Sequence, residues 1–120
     1  MLHEIPGLPD GAVGVTAQGT VTAHDYATVL VPALERALRT HPKIRFLYHL
    51  GADFGGFTAG ALWDDAKVGI RHLTAFEKIA VVTDVAWLRE AVRLFAFLMP
   101  CPVEVFGNDY LAEAKTWIRA

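Results

Sequence analysis

The chain has no serine and only one cysteine, Cys101, among its 120 residues. The first absence excludes a serine nucleophile. The second excludes an intramolecular disulfide and fits a reducing compartment. Cys101 stands between Pro100 and Pro102, ahead of an apolar strand and with nothing cationic adjoining it, which predicts a small buried filler rather than a reactive thiol. A basic excess is also missing. Eleven Lys and Arg against thirteen Asp and Glu leave a net charge of −2, with no footprint for nucleic acid or anionic lipid. The longest strongly apolar run, Leu94 to Met99, is far shorter than the roughly 20 residues that cross a bilayer. Met1 to Asp10 holds His3, Glu4, two prolines and a glycine where a leader peptide would be apolar. These features predict a soluble, cytoplasmic protein.

The 53% apolar and 11% aromatic content is enough for one core, and the length suits a single domain over residues 1–120. Leu2 to Ile5, a turn at Pro6 to Gly11, and the alternation of Val13, Val15 and Ala17 read as an antiparallel strand pair. Thr22-Ala-His-Asp25 has the form of a capping box. It opens a helix with Tyr26, Val29, Leu30, Ala33, Leu34, Ala37 and Leu38 on one face, loosened near Pro32 and closed by His41-Pro42. A strand over Ile44 to Leu50 follows, covered on both faces. Gly51 to Thr58 reads as a glycine-rich loop leading to a helix from about Ala59 to Leu73, with Leu62, Ala66, Gly69, Ile70 and Leu73 inward. Phe76 to Val82 is the next strand. Asp84 is placed to cap a helix over about Val85–Met99, with Leu88, Ala91, Val92, Phe95 and Met99 inward. A strand at Val103 to Phe106 and a helix bearing Leu111, Ala114, Trp117 and Ile118 complete the chain. This order predicts an α/β fold: a mostly parallel sheet of about five strands, right-handed crossovers and about four helices. A ligand site would lie at the carboxyl ends of the strands, near Leu50, Thr83 and Phe106.

The 51–58 stretch is neither G-x-G-x-x-G nor a P-loop. A tight turn anchored by Phe54 and Phe57, with Thr58 as a helix N-cap, accounts for it. Five histidines show no metal-ligand spacing, so neither a metal nor another cofactor is expected. His49 and Asp53 lie close enough in sequence for an acid–base pair. Leu94, Phe97 and Leu98 exceed what one inward stripe requires. With Trp63 and Trp87 they either form an apolar contact surface or are covered by the last helix.

Several segments together resemble one family. They are Ile5-Pro-Gly-Leu-Pro9; Asp25-Tyr26 with Pro32-Ala-Leu-Glu35; Asp53-Phe54 with Gly56-Phe-Thr-Ala-Gly-Ala-Leu-Trp63; Ala80-Val-Val-Thr-Asp84 with Trp87-Leu-Arg89; and Leu94-Phe-Ala-Phe-Leu-Met-Pro100. The chain resembles the SpoIIAA-like family of the STAS superfamily over nearly its whole length. The resemblance implies a right-handed β–α superhelix with a first antiparallel strand, an architecture shared with CRAL-TRIO lipid-binding domains. Anti-sigma-factor antagonists of this superfamily carry an Asp-Ser-Ser-Gly-like stretch whose serine a partner kinase phosphorylates. Asp53 to Thr58 occupies the corresponding region, with glycines and phenylalanines in its place, and Thr58 is the only hydroxyl there to accept phosphate.

The expected function is that of a non-enzymatic, regulatory STAS-like module that binds a partner protein or a small apolar or anionic ligand. Its candidate contact residues are Asp53, Phe54, Phe57, Thr58, Trp63, Trp87, Leu94, Phe97 and Leu98. The alternative is a lipid-binding or membrane-peripheral protein that self-associates, as a homodimer, through Leu94, Phe97, Leu98, Trp63 and Trp87. An enzyme using His49 and Asp53 is a third reading.

Overall fold

The computed structural model describes residues 1–120 except Leu73 and the side chains of Asp64, Asp65, Ala66, Gly69 and Ile70. The inward positions expected at Ala66, Gly69, Ile70 and Leu73 therefore lie outside the described residues. The alternation at Val13, Val15 and Ala17 forms β2, Ala12–Val21, and β1, Leu2–Glu4, pairs with it antiparallel. Strands β3 (Ile44–Phe57), β4 (Phe76–Thr83) and β5 (Val103–Phe106) then add in parallel, so spatial order equals chain order.

Helix α1 covers residues 23–38 and begins with the expected capping box: Asp25 N–H donates to Thr22 Oγ1, and Thr22 N–H donates to Asp25 Oδ2. Its second segment, Tyr26–Leu30, is wound as a π turn in which Val31 N–H donates to Tyr26 O. The helix is thus widened just before Pro32, which has no N–H of its own to donate. The α-helical winding ends at Leu38, three residues before His41.

Helices α2 (Ala59–Arg71) and α3 (Ala86–Ala96) complete the other two crossovers. Three crossovers of one hand, stepping the same way across a sheet, leave their helices on one face. Tyr26, Leu30 and Leu34 of α1, Ala61 of α2 and Leu88 of α3 accordingly share one core with Ile44, Phe46, Tyr48 and Leu50 of β3. Within it the hydroxyls of Tyr26 and Tyr48 are hydrogen-bonded at 3.0 Å. Helix α4, Leu111–Arg119, follows a 3-10 turn at Asn108–Tyr110 and packs alone on the other face, where Ala114 and Ile118 meet Leu47, Ala80 and Val82. Two cations of the strands hold its end. Arg45 Nη1 donates to Ile118 O at 2.8 Å, and Lys78 Nζ donates to Trp117 O at 3.0 Å and lies 4.9 Å from the centre of that ring. These bonds occupy carbonyls that the last turn leaves without an intrahelical donor.

Five expectations are corrected. Residues 51–57 are the continuation of β3 rather than a loop, because they pair with Gly19–Val21 of β2. Among the described residues of α2, Ala61 and Val68 face inward, while Leu62 is half exposed. On α3 they are Leu88, Val92 and Met99 just beyond its end, whereas Ala91 and Phe95 are exposed. The helix stops at Ala96 instead of Met99, and Asp84 does not cap it. Thr83 Oγ1 accepts from Val85 N–H, and Asp84 Oδ1 accepts from Asn108 N–H across the sheet end.

Candidate functional site

Strand β4 stops at Thr83, opposite Leu50, so β3 beyond that point has only β2 as a neighbour. The two strands project as a ribbon, and the register shifts between Ala17 and Thr20. Glycines permit this path. Gly56 has φ +123°, and a Cβ on Gly55 would lie 3.2 Å from the carbonyl carbon of Gly19. A conformation that L side chains rarely adopt, and backbones this close, both call for glycine.

The ribbon turns Phe54 and Phe57 onto the three-helix core, with ring centres 4.9 Å apart. Trp87, in the first turn of α3, meets Phe57 edge-on at 6.4 Å and is 54% exposed. Tilted and edge-to-face rings at these distances attract each other beyond their burial. Thr58 begins α2 beside them. Its N–H donates to Val21 O at 3.0 Å, and its Oγ1 accepts from Ala61 N–H at 3.1 Å, the N-cap role expected of it. Asp53 on the ribbon is exposed. Trp63, one turn into α2, is 67% exposed. Phe54, Phe57, Thr58 and Trp87 thus form one ledge at the carboxyl ends of the strands.

His49 is not paired with Asp53. Its Nδ1 lies 3.3 Å from Thr16 Oγ1 on the α4 side, and burial, aided by Lys115, pushes its imidazole below the ordinary value. Leu94, Phe97 and Leu98 lie at the far end of α3, and the last helix does not cover them because it occupies the opposite face. They are 70%, 88% and 74% exposed. Cys101 is half-buried, and burial pushes its thiol up; Lys43 lies near enough to draw it the other way, so a cation does act on it, against expectation. Two hollows had no sequence signal. A cleft of about 390 Å³ opens between the Pro6–Gly11 turn and α1, lined by Ile5, Leu8, Arg36 and His41. A groove of about 460 Å³ runs along the β5 edge past Val92, Ala96 and Phe97. Among the described residues, no three His, Cys, Asp or Glu side chains are grouped to hold a metal.

The antiparallel β1, the parallel β2–β5 and the helices packed three to one define the SpoIIAA-like class of α/β domains. The family profile matches residues 12–119, so the chain belongs to the SpoIIAA-like family. A similar solved structure is that of an uncharacterised protein of the DUF3478 family, with a SpoIIAA-like fold, from Shewanella loihica PV-4. It is 25% identical, aligned over 98% of this chain and 92% of that one with a TM-score of 0.78. No curated protein matches the sequence. No described helix is long and apolar enough to cross a membrane.

Proposed function

We propose that the chain is a non-enzymatic STAS-type binding module that presents the Phe54–Phe57–Trp87 ledge to a partner protein, with Thr58 as its regulatory position. The observation that carries this reading is the half-exposed Trp87 on a fixed aromatic support beside the capped start of α2. A rigid ring with one face free gives contact area at little entropic cost, which is why such residues anchor interfaces. Family membership supports the reading as well, since the 53–58 segment corresponds to the stretch through which anti-sigma-factor antagonists are switched. A phosphate on Thr58 would place a charge of about −1.5 to −2 at the N-terminal end of a 13-residue helix, where the helix dipole favours it.

The test is affinity capture from the native cells with wild type, Trp87→Ala and Phe57→Ala, followed by mass spectrometry of both the partner and Thr58. A single partner retained by wild type and weakened at least tenfold by Trp87→Ala supports the ledge, and a phosphate on Thr58 supports the switch. Equal retention by all three proteins sinks the ledge. A small molecule found bound to the purified protein by native mass spectrometry, and lost in the same variants, replaces the partner protein by a ligand.

A further inference from the structure

The sheet ends on β5, which is paired on one side only. Ile79 N–H donates to Pro102 O at 3.0 Å, and Ile79 is in register with Val103. Alternate residues of a parallel ladder turn both backbone polar groups toward the same neighbour. Glu104 therefore spends its N–H and C=O on β4, while Val103 and Val105 turn theirs to the open side. The side chains of Val103 and Val105 lie on the three-helix face, where α3 stands back from the strand. The groove of about 460 Å³ left there is lined by Val92, Ala96 and the 88% exposed Phe97. An open edge beside an apolar trough meets both needs of a strand added from outside. The edge supplies main-chain hydrogen bonds, and the trough seats every second side chain.

Glu104 points to the α4 face, as Phe106 does, and is exposed. Among the described residues it makes no side-chain hydrogen bond or ion pair. The cations around it are committed or distant. Lys78 faces the same side from β4, but its Nζ donates to Trp117 O at 3.0 Å. Arg93 lines the groove and pairs with Glu90. Lys43 lies beyond the amino end of β5, near Cys101. Glu113, one turn before Trp117 on α4, is a second exposed acid. We propose that β5 takes an extended segment of a partner protein as a further strand, one that sets a lysine or arginine opposite Glu104 between two apolar residues. Opposite charges directly across a sheet attract, and the flanking apolar residues fall on the groove side. A second copy fits the edge poorly. The two-fold register that joins all the open groups sets Val103 of each copy against Val105 of the other. Glu104 then meets its own image, and like charges so placed repel. An edge charge of this kind deters self-pairing. The proposal goes beyond the partner-binding reading, because it uses the β5 edge rather than the Trp87 ledge.

The test is titration of the isotope-labelled full chain with two end-capped peptides, Thr-Val-Lys-Val-Thr and Thr-Val-Glu-Val-Thr, followed by nuclear magnetic resonance. The lysine peptide should shift the Val103 and Val105 amides and slow their hydrogen exchange, and the glutamate peptide should do neither. Glu104→Gln should weaken the lysine peptide about threefold, and Glu104→Lys should reverse the preference. Glu104 is exposed, so both variants keep their fold. Val105→Pro removes an N–H that β4 does not use, and an edge strand tolerates proline there. It should abolish binding, with circular dichroism checking the fold. A lysine peptide that leaves the Val103 and Val105 amides unchanged overturns the proposal. Equal binding of the two peptides overturns it as well, and so does a preference that survives Glu104→Lys. Protection of the same amides that rises with protein concentration, without peptide, assigns the edge to a second copy instead. Trp87→Ala should leave peptide binding unchanged, so the edge and the ledge fail separately.

Discussion

His49 shows how a single residue acquires a role from its surroundings. Sequence proximity to Asp53 suggested proton transfer, but on a strand a side chain answers to its neighbours across the sheet and to the helix packed on that face, and here they are Thr16 of β2 and Lys115 of α4. Burial and then Lys115 hold the imidazole below 6.5, so the folded protein resists protonation more than the unfolded chain does. The contribution to stability is complete above the unfolded value and is lost as pH falls through the depressed folded value. Thermal unfolding followed from neutral to mildly acid pH should show a declining midpoint, and His49→Gln should flatten that decline. An unchanged slope in the variant would remove His49 as the cause.

Elements were legible where one local signal fixes them. The Thr22 and Thr58 caps, the strand alternation around Val15 and the widened turn before Pro32 all follow from short-range sterics and hydrogen bonding, and each is present. The 51–57 segment was misread because its glycines carry two meanings. They mark a turn when the chain reverses, and a bulged ribbon when a neighbouring strand comes too close for a Cβ. Only the path of β2 selects the second. Gly56→Ala should therefore act on the ribbon as a unit. Forcing alanine to φ +123° costs on the order of 1–3 kcal/mol, and Trp87 fluorescence should change as Phe57 shifts. Chemical denaturation and emission spectra of the variant check both effects, and a stable variant with native emission would show that the bulge is not needed. Leu62 on α2 and Ala91 and Phe95 on α3 were misplaced for a related reason. Where several positions are apolar, the stripe that faces inward is chosen by how the helix is anchored at its ends, and Ala61 rather than Leu62 follows from the seating of Thr58 against Val21.

At the scale of the whole molecule, the uneven division of helices governs both stability and exposure. One face of the sheet is shared by three helices, and the other rests on α4 alone. Ile118 is fully buried there between Leu47 and the neighbouring strands. Ile118→Ala should cost about 2–5 kcal/mol, near the upper end because no second helix can move in to fill the space. Urea unfolding measures the loss, and a cost below about 1 kcal/mol would show that α4 adjusts freely. The same division leaves Leu94, Phe97 and Leu98 exposed, since the last helix, α4, is committed to the other side.

By itself, the sequence determined the element order, the capped helix starts, the parallel sheet with one antiparallel edge and the family to which the chain belongs, because those depend on short-range patterning and on crossover rules. It also carried the candidate residues Phe54, Phe57, Thr58 and Trp87, though only as separate positions. Tertiary structure decided that these four meet in one ledge, that His49 and Asp53 do not meet, and that the last helix lies on the far face. The physical reason is that helix phase and face depend on which distant segments compete for the same surface. That competition has no local signature.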